Sequence, residues 1–203
     1  MRIPALIPSA PTRGILLAAG SAIRFGRHKL LHPLPGGTPV GVAAARNLLL
    51  GCGNALAVVR LDDNRLAALL RAEGIEIVIA ERASSGMGAS LAAGVLAAAG
   101  ANGWLIALAD MPWIAPHTIR QIATMLDRGA ALAAPSYRAQ RGHPVGFGRV
   151  FKDKLTELTG DSGARELLRR YTDRLALFPC GDPGVLRDID TPADLPAPWG
   201  ARD

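Results

Sequence analysis

The chain has 203 residues, 49% of them hydrophobic, with a formal net charge of +6 and a pI of about 10.1. That is enough apolar material for one full core, and the positive balance suits polyanionic ligands. Only 4% of residues are aromatic and the basic residues are dispersed, which argues against a stacking platform for single strands; no specific nucleic-acid partner is expected.

Residues 1–12, with three prolines and one arginine, read as a loose lead-in rather than a signal peptide, ahead of a single domain over residues 13–203. A strand is expected at Gly14–Ala18. A helix over Pro39–Leu50 follows, with Thr38 as cap and Pro39 as its first residue. Then come a strand at Ala55–Val59, a helix over Asp63–Glu73 closed by Gly74, and a strand at Ile75–Ala80. Ser90–Ala99 reads as a helix closed by Gly100, Trp104–Ala109 as a strand, Pro116–Arg128 as a helix closed by Gly129, and Ala131–Ala134 as a strand. Beyond Pro135 the rhythm breaks. Ser136–Gly148 reads as a loop feeding a short strand, Asp161–Arg165 opens a helix, and Leu175–Phe178 and Leu186–Ile189 are late strands. Apolar strands alternating with amphipathic helices define an α/β chain: a three-layer α/β/α sandwich around a mostly parallel, Rossmann-like sheet. Ligands of such sheets bind at the carboxyl ends of the strands. Apolar runs such as Ser90–Gly100 are too short to span a membrane. Cys52 and Cys180, far apart and without metal spacing, suit a reduced, cytoplasmic protein.

The first strand runs into Leu17-Ala18-Ala19-Gly20-Ser21-Ala22-Ile23-Arg24-Phe25-Gly26-Arg27-His28-Lys29. Small residues let a phosphate approach the backbone, successive N–H groups form an anion cradle, and the cations add long-range attraction. The spacing fits neither a P-loop nor a dinucleotide fingerprint. A nucleoside triphosphate is the expected ligand. Asp110, in Leu108-Ala109-Asp110-Met111-Pro112, ends a buried strand with a carboxylate, which suits Mg²⁺ shared with phosphate oxygens or, alternatively, a turn cap. Asp188-Ile189-Asp190-Thr191-Pro192-Ala193-Asp194 supplies a second acidic site; Thr191, Pro192 and Asp194 read as cap and first turn, leaving Asp190 unexplained by capping. Gly86-Met87-Gly88-Ala89-Ser90-Leu91 permits close approach, with Ser90 as a helix cap. Arg141-Gly142-His143-Pro144-Val145 and Gly160-Asp161-Ser162-Gly163-Ala164-Arg165 carry cations that suit a second phosphate.

These segments, in this order, resemble the MobA-like nucleotidyltransferases, a family of the nucleotide-diphospho-sugar transferase fold type, and within it the molybdenum cofactor cytidylyltransferase branch. Leu17, Ala18, Ala19, Gly20, Arg24, Gly26 and Lys29 fit the family signature, while Ala22 replaces its serine and Ser21 stands beside it. The resemblance implies transfer of CMP from CTP to the phosphate of molybdenum-molybdopterin, releasing pyrophosphate. It assigns Asp110 and Asp190 to Mg²⁺, Gly86 and Ser90 to the base pocket, and Arg141, His143, Asp161 and Arg165 to the acceptor. Arg24 would then hold the outer phosphates and Lys29 the α-phosphate, with Asp188 structural. A molybdoenzyme or its maturation chaperone is an implied partner. Three alternatives are a GTP-dependent guanylyltransferase, an NADPH-dependent reductase on the same scaffold, and a basic nucleotide- or RNA-binding module.

Overall fold

A computed structural model describes residues 11–20, 28–81, 86–160 and 164–195. Four parallel strands form one half of the sheet: β1 (Arg13–Leu17), β2 (Ala55–Arg60), β3 (Glu76–Ala80) and β4 (Gly103–Leu108). The other half holds β5 (Leu132–Tyr137), β6 (Gln140–Arg141), β7 (Val145–Gly148) and β8 (Leu175–Pro179). The order is β3-β2-β1-β4-β7-β5-β6, and β8 pairs with β5. β7 runs antiparallel to both β4 and β5, and β6 antiparallel to β5, so the sheet is mixed. β8 is parallel to β5.

The helices are α1 (Val40–Cys52), α2 (Asn64–Ala72), α3 (Met87–Ala97), α4 (Pro116–Asp127), α5 (Lys152–Thr156) and α6 (Arg165–Arg170). Successive strand residues point to opposite faces. Leu16, Ala57, Leu105 and Ala133 pack with Leu48 of α1, Leu66 and Leu70 of α2, and Ile119, Ile122 and Leu126 of α4. Their neighbours Ile15, Leu56, Ile106 and Leu132 pack with Leu91 and Val95 of α3, Phe151, Leu155 of α5, and Leu167 and Leu168 of α6. Both faces are covered, as continuous apolar strands require, which gives the expected three layers.

Several boundaries differ from the expected ones, each for a local reason. α1 starts at Val40. Pro39 is its extended N-cap, bridged to Pro33, and Ala43 donates to the Pro39 carbonyl; Thr38 is not the cap. α3 starts at Met87 with Gly86 as N-cap, so Ser90 is not a cap but a buried residue of the first helical turns. β5 extends through Tyr137 into a tight turn at Arg138 and Ala139, both with positive φ, so the expected loop after Pro135 is a second antiparallel arm. Between the β5–β6 and β5–β7 pairings the register slips by two residues, and Gly142–Pro144 occupy the resulting bulge.

Leu186–Ile189 is not a strand. Pro183–Leu186 forms a 3₁₀ turn instead. Buried Asp182 accepts hydrogen bonds from Gly184 N–H, Ala115 N–H and Thr118 Oγ, which fastens the turn to the start of α4 rather than to a sheet edge. Gly184 lies so close to the Trp113 carbonyl that a Cβ would sit 2.1 Å from its oxygen. Among the described residues no helix is long and apolar enough to cross a membrane.

Candidate active site

The site begins at the carboxyl ends of two adjacent strands. Leu17 of β1 is in register with Leu108 of β4, so residues 18–20 and 109–111 leave the sheet side by side. Ala18 N–H donates to the Val58 carbonyl and Ala109 N–H to that of Leu17, which holds both exits in place. Ala18 and Ala19 are buried and Gly20 is exposed. Asp110 follows. Its backbone carbonyl accepts from Ile189 N–H at 3.0 Å, and that bond draws the chain carrying Asp190 alongside. Asp194, at the end of a 3₁₀ turn over Pro192–Asp194, reaches back: its Oδ2 accepts from Asp190 N–H, Thr191 N–H and Thr191 Oγ. These bonds hold the Asp194 carboxyl below its ordinary pKa. Sequence reading gave Asp194 a first-turn role and overlooked Asp182; together they position the acidic segment.

Lys29 completes the centre. It opens the 3₁₀ turn Lys29–Leu31, anchored by buried Leu30. Its Nζ lies 2.8 Å from Asp110 Oδ2 and 3.3 Å from Asp190 Oδ1. Residues from three distant parts of the chain thus share one ammonium. Burial pulls the Lys29 pKa down, but the hydrogen bonds and negative charge of Asp110 and Asp190 outweigh it, and the net shift is upward. The ammonium therefore stays charged. Asp110 Oδ1 is buried with no hydrogen-bond partner. An orphaned carboxylate oxygen is costly unless something positive meets it. Among the described residues no cluster of three or more metal-ligating side chains occurs. Two carboxylates, one with a spare oxygen, are what a Mg²⁺ needs when phosphates and water supply its remaining ligands. The residues present fit such an ion.

His28, just before Lys29, places its Nε2 2.7 Å from Oδ2 of buried Asp63, whose carboxylate also accepts from Leu66 N–H as the α2 cap. This anchor at the end of the opening loop was not legible beforehand, because nothing in the spacing links residues 28 and 63.

A second cluster lies on the β5–β7 arm. His143, in the bulge, donates its backbone N–H to the Val185 carbonyl. Its Nδ1 is buried without a partner. Burial, then the Arg141 charge, with a smaller contribution from Arg165, push the ring's pKa down to about 4 against the pull of Asp188. Partial burial and the Arg165 guanidinium hold the Arg141 pKa below its usual value. Arg141, His143 and Arg165 are therefore brought together, and among the described residues neither guanidinium has a carboxylate ion-pair partner. Gly86 and Ser90 stand at the start of α3, after β3. Ser21, Arg24, Gly26 and Asp161 lie outside the described residues.

The depressed His143 pKa makes a measurable prediction. Stability is fully present above the unfolded pKa of about 6.5, falls as pH drops from there, and the loss is complete below about 4. Two and a half pH units correspond to roughly 3 kcal/mol from this ring at most. Denaturant melts of wild type and His143→Gln between pH 7 and 4 check it. The variant is expected to lose less stability than wild type across that window, and parallel curves would rule the ring out as the source.

A small-residue strand exit beside a Lys–Asp–Asp centre, at the carboxyl edge of an α/β sheet, is an arrangement suited to a nucleotide's phosphates and a divalent cation. The chain matches the MobA-like NTP transferase domain over residues 14–175, and it belongs to that family. It is 33% identical to the nicotine blue oxidoreductase of Paenarthrobacter nicotinovorans, over 88% of this chain and 91% of that protein. It is 29% identical to the purine catabolism protein PucB of Bacillus subtilis, over 96% of each. Among solved structures it is similar to Rv0371c of Mycobacterium tuberculosis in complex with manganese, with 26% identity and a TM-score of 0.75 over 91% of this chain and 96% of that one. The expected fold stands: a mixed α/β sheet flanked by helices, as in nucleotide-diphospho-sugar transferases.

Proposed function

We propose that the protein transfers CMP from CTP to the phosphate of molybdenum-molybdopterin, with release of pyrophosphate. The observation that carries the transferase part is the Lys29 ammonium between Asp110 and Asp190, beside the exit of β1. The cytidylyl and molybdopterin parts rest on the resemblance of the His143-Pro144-Val145 and Asp161–Arg165 segments to that branch. A structural neighbour that is a manganese complex supports a divalent ion in the mechanism.

In this reading Leu17 and Ala18 line the floor of the cradle, Ala19 and Gly20 present backbone N–H groups to the triphosphate, and Ser21, Arg24 and Gly26 continue the cradle. Arg24 holds the outer phosphates. Lys29 stabilises charge on the α-phosphate as it becomes five-coordinate. Asp110 and Asp190 would hold Mg²⁺, which when bound would neutralise charge on the phosphate oxygens. Arg141 and Arg165 hold the acceptor phosphate, and Asp161 and neutral His143 belong to the same acceptor site. An anionic acceptor oxygen needs little help from a base, so positioning carries most of the rate. Gly86 and Ser90 border the base.

A second reading is favoured by one observation, the 33% identity to a protein named as an oxidoreductase. Thermal shifts with Mg²⁺ and CTP, GTP, ATP, UTP or NADPH, each with and without chelator, separate the two. A ligand at a hundredfold its Kd adds roughly 2.7 kcal/mol, or about 5–10 °C for a chain of this size. A magnesium-dependent shift with CTP alone is expected. A shift with GTP alone moves the donor to guanosine, and one with NADPH alone makes the reductase reading primary.

A further inference from the structure

Gly88, the second residue of α3, donates its backbone N–H to the Gly160 carbonyl at 2.8 Å. A Cβ at position 88 would lie 2.9 Å from both the Gly160 and the Thr159 carbonyl oxygens. Both are backbone atoms and cannot swing away. The first amides of a helix ordinarily look outward for a capping group or a ligand. Here one of them is taken by the segment that leads to Arg165. Gly160 itself has φ +65°, a turn conformation that fixes the direction in which the chain leaves. The bond thus joins two stretches far apart in sequence. Gly86 and Ser90 flank it on one side, and Arg165, close enough to Arg141 for the two guanidinium charges to repel, follows on the other.

We propose that Gly88 is a positioning residue that couples the two substrate pockets: through the Gly88–Gly160 bond, donor-nucleotide binding at the start of α3 steadies residues 155–160 and, with them, the acceptor side at Arg165. The inference rests on the donor and acceptor assignments given above. It goes beyond them in making acceptor binding depend on the donor. Linkage makes the dependence reciprocal, so the acceptor tightens the donor by the same factor. Alanine at 88 pushes residues 159–160 away and breaks this link without removing any group that touches either substrate. A glycine needed only for α3 packing would lower stability and leave the ligand response of residues 155–160 unchanged.

Two measurements on the full-length protein test it. Thermal shift with magnesium-CTP, or magnesium-GTP if CTP gives none, reports donor binding. Amide hydrogen exchange over residues 155–160, with and without the same nucleotide, reports the coupling. In the wild type the nucleotide is expected to slow that exchange by roughly 5- to 150-fold, the usual span of a coupling between sites. In Gly88→Ala the thermal shift persists and the slowing is lost. In turnover assays with molybdenum-molybdopterin, KM for the acceptor rises by a similar factor while the nucleotide Kd stays within about twofold. A wild-type thermal shift with no change over 155–160 overturns the coupling and leaves the donor reading standing. Unchanged slowing in Gly88→Ala also overturns it. No thermal shift with any nucleotide removes the donor reading and the coupling with it. The wild-type arm does not depend on the variant folding.

Discussion

Lys29→Ala is expected to lower turnover by at least about 100-fold, because removing a single preorganised donor to developing oxyanion charge typically costs two to three orders of magnitude. The effect on stability is much smaller. The substitution leaves Asp110 and Asp190 facing each other without their shared cation, and Asp110 Oδ1 is already unpartnered. A fully buried pair broken in this way costs several kcal/mol. Here the Asp190 side chain is 50% exposed and water can reach it, so a loss of about 1–2 kcal/mol, or a fall of roughly 2–8 °C in Tm, is expected. The variant also bares two carboxylates that Lys29 otherwise neutralises. Mg²⁺ or Mn²⁺ alone is therefore expected to stabilise Lys29→Ala more than the wild type in a thermal-shift titration. Steady-state pyrophosphate release gives the rate comparison. Wild-type turnover in a folded Lys29→Ala protein would remove Lys29 from the mechanism.

Asp110→Asn is expected to abolish magnesium-dependent turnover with a fall in Tm no larger than that of Lys29→Ala. The amide keeps the shape of the carboxylate but loses its charge, so it can neither hold a hard cation well nor pair with the Lys29 ammonium. Asp190 is the more exposed of the two acids and is bonded to Lys29 at the longer distance, 3.3 Å against 2.8 Å. Asp190→Asn is accordingly the milder lesion. The comparison is read from the magnesium concentration that gives half-maximal rate, which rises in Asp190→Asn. In Asp110→Asn no magnesium concentration restores turnover. Full activity in Asp110→Asn would show that the metal, if used, is held elsewhere.

Much of the centre was legible along the chain because it sits at strand ends. Apolar runs such as Ala55–Val59 and Trp104–Ala109 are nearly continuous, as strands covered on both faces must be, and the structure places β2 and β4 there. Asp110 follows such a run directly, so its place at the carboxyl edge needed no tertiary information. The errors arose where one signal served two purposes. Ser90 looks like a cap, but Gly86 caps the helix four residues ahead of it and the serine is buried inside. Leu186–Ile189 is apolar enough for a strand, yet the Asp182 hydrogen bonds commit it to a turn against α4. The bulge that presents His143 arises from a two-residue slip between pairings, which local composition does not encode.

The layered α/β class, the small-residue exit after β1 and the acid after β4 can be read from the residues alone, because periodicity, turn chemistry and strand-end position are local properties. That Lys29, Asp110 and Asp190 meet at one ammonium, that Asp182 and Asp194 hold the acidic segment in place, and that Gly88 and Gly160 share a hydrogen bond are consequences of the folded chain. Those pairings depend on strand order and on which loops the sheet brings to one edge. Strand order is set by packing across the whole domain, so no local stretch of residues specifies it.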